Sequence, residues 1–238
     1  MVRLLVQAPL AAAVTAAFSL AVIVVGIIDP RGRRGRVLAG VWSRALLRIG
    51  RVGVHVEGLE HLPQGPAVYA ANHASALDIP ILFGHVPVDF RMIHKHSIYL
   101  IPFLGQAVWA GRHIGIDRRN AFRARRSLTD AAQRIREGTS VVVYPEGTRS
   151  PDGTVRRFKR GSFGLALDAG VPVVPISLVG VKGVVPRGLL SLVPGTVGVY
   201  VHAPVSVAGR TPSEAEALAE EVRQIVAAGC AVGEEQSS

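Results

Sequence analysis

The stretch Ala67-Val68-Tyr69-Ala70-Ala71-Asn72-His73-Ala74-Ser75-Ala76-Leu77-Asp78-Ile79-Pro80-Ile81-Leu82-Phe83 decides the fold. Ala67 to Ala71 reads as a buried strand. Ile79 to Phe83 starts a helix, and Pro80 is tolerated there because the first helical turn needs no N–H from it. His73 therefore falls in a loop between strand and helix, with Asp78 five residues on. Along a regular helix that spacing separates two side chains by about 140°, so they meet only if the helix begins between them and the carboxylate folds back. A carboxylate so placed fixes one ring nitrogen and its tautomer, leaving the other nitrogen to take a proton from a hydroxyl. Ser75-Ala76-Leu77-Asp78 also matches a capping box, in which the serine and the acid three residues later satisfy backbone donors. On this segment alone both readings stand.

Working outward, Val141-Val142-Val143-Tyr144-Pro145-Glu146-Gly147-Thr148-Arg149-Ser150 is an apolar strand stopped by Pro145 and followed by a carboxylate, a flexible glycine, a hydroxyl and a guanidinium. Phe158-Lys159-Arg160-Gly161-Ser162 adds two cations at a helix start, where free backbone N–H groups favour an anion. Between the His73 stretch and the Val141 strand, Gly115-Ile116-Asp117-Arg118-Arg119 is a short strand that ends in arginine. Strand ends delivering His, Arg, Glu and Lys together fit the rule that α/β sheets bind ligands beyond the carboxyl ends of their strands. Any one of these arginines is equally readable as a solvated surface charge.

In order and spacing these segments resemble the motif blocks of the glycerolipid acyltransferase family over residues 50 to 205, with Val171-Pro172-Val173-Val174-Pro175-Ile176-Ser177 as the fourth block. The chain departs from the pattern in carrying Tyr144 where phenylalanine is usual and in a slightly longer stretch from Gly111 to Ile116. The resemblance implies a glycerol-3-phosphate acyltransferase-like α/β fold, a central mixed β-sheet flanked by helices. It implies that His73 is the base and Asp78 its orienter, and that Arg118, together with Glu146, Gly147, Thr148 and Arg149 of the loop after the Val141 strand, binds the glycerol phosphate. Lys95 and Lys159 resemble further basic positions near that phosphate.

The implied reaction transfers an acyl group to the sn-2 hydroxyl of lysophosphatidic acid, giving phosphatidic acid. The donor, acyl-CoA or acyl-carrier protein, is already an activated thioester. Removing a proton from a hydroxyl held about 3 Å from its carbonyl is then sufficient, with no covalent enzyme intermediate, cofactor or metal. The lone Cys230 is not needed, and one cysteine excludes an intrachain disulfide. Two alternatives are an acyltransferase for another lyso-lipid acceptor and a non-catalytic lipid-binding protein, the latter opposed by the intact His73 and Asp78.

The 238 residues, 49% hydrophobic and 18% charged, suffice for one α/β core and lean toward lipid contact. Three regions are expected: a membrane-associated helical segment over 1–50, the acyltransferase domain over 51–210, and a C-terminal helix and tail over 211–238. Leu4 to Ile28 carries no charge and only Gln7 as a strongly polar side chain. At about 1.5 Å per residue it can reach across a hydrocarbon core of about 30 Å. A signal peptide is the rival reading, but its apolar core is usually about 7 to 15 residues and ends in small residues. Here the run ends in Asp29-Pro30-Arg31-Gly32-Arg33-Arg34. After that turn, Val37 to Ile49 repeats apolar residues at helical spacing, as an interfacial helix or the second arm of a membrane-binding helical hairpin. If the first segment spans the bilayer rather than dipping into it, the basic cluster after it predicts a cytoplasmic C-terminal side, with the catalytic domain on the cytoplasmic face of the cell membrane.

The net charge of +10, concentrated in Arg31 to Arg36 and Arg118 to Arg126, suits an anionic membrane surface. Nucleic acid is the competing partner, but no recognisable nucleic-acid module accompanies the charge. His94-Lys95-His96 puts two imidazoles on one strand face, without a matching Cys, Asp or Glu cluster for a metal. Ser97 to Ala110 reads as core packing or as a lining for the acyl chain. Asn120 to Glu137 reads as a helix with Phe122, Leu128, Ala132 and Ile135 on its apolar side, and Ser213 to Ala227 as a closing helix. Residues 229–238 read as a frayed tail.

Overall fold

The computed structural model describes residues 2–117, 120–185 and 192–237. The strands β1 (Val52–Glu57), β2 (Val68–Ala71), β3 (Phe90–Lys95), β4 (Ile114–Ile116), β5 (Ser140–Val143), β6 (Val173–Val179) and β7 (Gly195–Val201) form one sheet in the order β1-β7-β6-β2-β5-β3-β4. The five strands from β6 to β4 in that order are mutually parallel. β7 runs antiparallel to β6, and β1 parallel to β7, so the sheet is mixed as the motif resemblance implies. β2, β5 and β6 are buried along their whole length. Their largely apolar composition, with Val the commonest residue, follows from having helices on both faces.

Alternation along β2 divides the interior. Tyr69 and Ala71 face a core with Ile81, Leu82 and Phe83 of α3 (Asp78–His85), whereas Val68 and Ala70 face Ile135, Phe163 and Leu218. Those last three belong to α5 (Ala121–Arg136), α6 (Gly161–Ala169) and α8 (Ala215–Ser237); α4 (Leu104–Ala110) and the single turn α7 (Val181–Val184) complete the helices after the N-terminal pair. On α5, Ala131, Ala132 and Ile135 are buried, but Phe122 is exposed, contrary to its expected place on the apolar side. It lies in the first turn of the helix, nine residues before Ala131, the first buried position among the described residues of α5.

The N-terminal pair is a hairpin of α1 (Val2–Ile28) and α2 (Arg33–Gly50). Gly32, at φ 71°, turns the chain, and Asp29 caps α2 through Oδ2, which accepts from Arg34 N at 2.7 Å and Gly35 N at 3.3 Å. Two polar side chains of α1 face its partner: Gln7 Nε2 donates to Ile49 O at 3.0 Å, and Thr15 Oγ1 accepts from Trp42 Nε1 at 3.1 Å. Leu5, Val6, Leu10, Leu20, Val24, Ile27 and Ile28 are left exposed.

Two expectations are corrected. Of the expected frayed tail, residues 229–237 are helical, the last part of α8, because Gly229 and Gly233 let its backbone lie against the sheet. A Cβ at Gly229 would stand 2.5 Å from Ser177 Oγ, and one at Gly233 2.7 Å from the Tyr200 ring. The cluster Arg31 to Arg36 is not wholly available to lipid either. Arg36 donates to the carbonyls of Val88, Phe83 and Val86 at 3.0, 2.9 and 2.7 Å, closing the C-terminal end of α3, and its guanidinium lies 4.5 Å from the centre of the Phe90 ring. Arg36→Ala strands those carbonyls and is expected to cost about 3 kcal/mol. A thermal unfolding midpoint in detergent that does not fall would contradict this role.

Candidate active site

Between the end of β2 and the start of α3 the backbone turns around a single carboxylate. Asp78 Oδ2 accepts from His73 Nδ1 at 2.7 Å, from Ala74 N at 2.8 Å and from Ser75 N at 2.9 Å, and Asp78 is fully buried. The two sequence readings therefore coexist, since the acid that caps the helix start also holds the imidazole. Only the serine half of the box differs: Ser75 Oγ accepts from Leu77 N, not from Asp78 N. Among the described residues His73 Nε2 makes no hydrogen bond, which leaves it available to a substrate hydroxyl.

Asn72, for which the sequence offered no separate role, locks this loop to the sheet. Its amide donates to Leu178 O at 3.0 Å and accepts from Leu178 N at 2.8 Å, a two-bond clamp from the end of β2 to β6. The loop after β5 holds the other side. Glu146 Oε1 accepts from His73 N at 2.9 Å, and Ser150 N donates to His73 O at 2.7 Å. The His73 and Tyr144 rings stack with centroids 4.1 Å apart and planes 14° from parallel. Glu146 is thus bonded to the histidine backbone, and burial pushes its carboxyl above the ordinary range. Burial, reinforced by the charge of Asp78, raises the Tyr144 hydroxyl well above its ordinary value.

Gly147 has φ 77°, and a Cβ there would lie 2.7 Å from Lys159 Nζ; the glycine admits that ammonium group against the loop. Thr148, Arg149 and Lys159 are exposed, as is Lys95 at the end of β3. Because β2, β5 and β3 are adjacent and parallel, His73, the loop from Tyr144 to Arg149 and Lys95 all emerge at one sheet edge. Arg118 and Arg119 lie outside the described residues. His94 Nδ1 is bonded to Lys95 O at 3.0 Å and its ring meets Tyr99 edge-on. The segment from Ser97 to Ala110 is not simple core, since Leu100, Ile101, Phe103 and Trp109 are exposed. An oriented imidazole beside exposed cations suits proton removal from the hydroxyl of an anionic acceptor.

The sequence profile described as Acyltransferase matches residues 53–179, the span from β1 through β6. The chain belongs to the acyltransferase family. It is 33% identical over 229 residues to a chloroplastic 1-acyl-sn-glycerol-3-phosphate acyltransferase of Arabidopsis thaliana, covering 91% of this chain and 61% of the plant protein. It is 34% identical over 174 residues to the human 1-acyl-sn-glycerol-3-phosphate acyltransferase alpha, covering 72% of this chain and 62% of the human protein. The chain thus spans less than two thirds of the length of these curated relatives. Among solved structures, the 1-acyl-sn-glycerophosphate acyltransferase PlsC of Thermotoga maritima superposes with a TM-score of 0.82 at 28% identity, covering 100% of this chain and 96% of that one. Like PlsC, this acyltransferase has a sheet flanked by helices.

Two substitutions test how the site is held. The Tyr144 hydroxyl is buried with no partner among the described residues. Tyr144→Phe keeps the ring stack and is expected to raise stability by about 1 kcal/mol, read by denaturant unfolding. Glu146 has its folded pKa raised above the ordinary 4.5, so its ionised form opposes folding. Glu146→Gln is accordingly more stable than the parent at neutral pH, an advantage that disappears below pH 4.5. Equal stability of the two proteins at both pH values would refute that assignment.

Proposed function

We propose that this acyltransferase moves an acyl group from a thioester, acyl-CoA or acyl-carrier protein, to the sn-2 hydroxyl of lysophosphatidic acid, forming phosphatidic acid. The observation that carries the reading is the buried Asp78 carboxylate bonded at 2.7 Å to His73 Nδ1, at a sheet edge where Arg149, Lys159 and Lys95 are exposed. The chain's similarity to 1-acyl-sn-glycerol-3-phosphate acyltransferases supports the acceptor. In this reading His73 Nε2 removes the proton of the acceptor hydroxyl as its oxygen attacks the thioester carbonyl. Asp78 stabilises the imidazolium that forms, and the proton then leaves with the thiol. Arg149, Lys159 and Lys95 hold the phosphate, joined by Arg118 through its place in the motif. Gly147 and Thr148 shape the loop that presents Arg149, and Glu146 fixes the His73 backbone. No step calls for a metal or a cofactor.

The hairpin of α1 and α2 anchors the protein at an anionic cell membrane, with the catalytic domain on the cytoplasmic face. Its support is the apolar run Leu5–Ile28, of mean hydropathy 2.5 and only 11% buried, followed by basic residues.

The test is acyl transfer by detergent-purified protein from labelled oleoyl-CoA to lysophosphatidic acid. His73→Ala is expected to lower turnover by about 1,000-fold or more. Arg149→Ala is expected to raise KM for the phosphate-bearing acceptor and to leave a phosphate-free one unaffected. Absence of transfer with either donor would sink the phosphatidic-acid reading and point to another lyso-lipid acceptor. Full activity in His73→Ala would sink the mechanism.

A further inference from the structure

Four large apolar side chains between β3 and the end of α4 face solvent. Leu100, Phe103 and Trp109 are 79%, 68% and 63% exposed, and Ile101 45%. Four such side chains exposed within the stretch 100–109 of a folded domain mark a contact surface. The backbone supplies a second observation. Phe103 has φ 63° and ψ −49°, and Leu104 N donates to Pro102 O at 2.7 Å, a positive-φ γ-turn that is strained for a bulky residue. That strain holds the phenylalanine out in front of α4, and strain of this kind persists where it serves function.

The patch continues the bare face of α1. Ala107 and Ala110 on the inner side of α4 pack against Val22 of α1, and a Cβ on Gly26 would stand 2.7 Å from Ala110 Cβ. The outer side of α4 therefore adjoins Ile27 and Ile28, which are also exposed. Cations accompany it: the Arg112 guanidinium lies 5.3 Å from the Trp109 ring centre, Arg31 and Arg34 are exposed in the turn whose Gly32 lies against Gly111 and Arg112, and Lys95 is exposed at the end of β3. An apolar patch with a tryptophan, bordered by cations and continuous with a long apolar helix, has the chemistry of an anionic bilayer interface.

We propose that Leu100, Ile101, Phe103 and Trp109 form a second membrane-inserting surface, separate in sequence from the N-terminal hairpin, that docks the carboxyl edge of the sheet onto the bilayer. The inference rests on the lyso-lipid reading above, because an acceptor held by its acyl chain must be met at the membrane surface. β3 carries Lys95 at its carboxyl end and runs directly into the turn His96–Leu100, so insertion of the patch fixes the height of Lys95 above the bilayer.

The full chain carrying Trp42→Phe, reconstituted in phosphatidylcholine and phosphatidylglycerol vesicles, leaves Trp109 as the reporter. Lipid brominated high on the acyl chain is expected to quench its emission about twofold; the parent minus Trp109→Phe gives the same quantity without touching the hairpin. Leu100→Asp with Phe103→Asp is expected to cut transfer to a vesicle-held acceptor about tenfold while sparing a soluble short-chain acceptor. Emission blind to brominated lipid but quenched by aqueous iodide overturns the proposal. So does protection that grows with protein concentration, which would assign the patch to a second copy of the chain. Quenching of Trp109 without transfer to any acceptor by the parent would support the docking surface and overturn the lyso-lipid reading, so the two failures are distinguishable.

Discussion

A single oxygen, Asp78 Oδ2, accepts from an imidazole and two backbone amides, and the candidate site depends on that convergence. A buried carboxylate is tolerated only where donors surround it. Here those donors are the amides that a helix start leaves unpaired, together with the ring that needs orienting. The rest of α3 makes the arrangement rigid. Ile81, Leu82 and Phe83 are buried in the core, so the carboxylate cannot swing away without pulling three large side chains out of contact. Packing, capping and ring orientation are thus one constraint, and a spacing that would separate His73 from Asp78 along a helix brings them to 2.7 Å across its beginning.

The same economy governs the loop after β5. It does not simply carry ligand-binding groups to the edge of the sheet. Glu146 takes the His73 N–H, Ser150 N donates to the His73 carbonyl, and Tyr144 covers the ring. The histidine is therefore held by its backbone on both sides, by Nδ1 and by one ring face, leaving little freedom except at Nε2. Asn72 ties this assembly to β6, so three neighbouring strands, β5, β2 and β6, fix one side chain. Catalysis by proximity needs this rigidity, because a reacting atom out of place by about 1 Å costs about 100-fold in rate.

Much of this was legible in the sequence, and the parts that were not share a cause. The strand-loop-helix order of Ala67 to Phe83 is legible because periodicity and proline placement are local signals. The pairing of His73 with Asp78 held because the chain supplied a break between them. Reach across the fold was invisible. Arg36 looked like one more cation in a basic run, yet it closes a helix some 47 residues away. Glu146 enters the sequence reading only through the motif resemblance, as a contact to the glycerol phosphate, and its bond to the His73 backbone N–H is visible only in three dimensions. The helical end of α8 was missed because Gly229 and Gly233 suggest fraying, whereas their lack of a side chain is what allows close packing on β6 and β7. Small residues are ambiguous until the surface they face is known.

Polar atoms at the centre of the site are left unsatisfied in a way that bears on its chemistry. Asp78 Oδ1, Glu146 Oε2 and the Tyr144 hydroxyl are all buried without a partner among the described residues, and all belong to residues bonded to or stacked on His73. Elsewhere in a core such atoms would be a defect to be removed, each costing about 1–3 kcal/mol. Around a base they have a use. Two carboxylates with spare acceptor oxygens keep the electrostatic field negative where an imidazolium must form, and they need no reorganisation when it does. An acid whose oxygens were all bonded to backbone amides would orient the ring equally well but have less field to spare for the transferred proton. The stability given up in leaving these oxygens unbonded is consistent with a site organised for proton transfer.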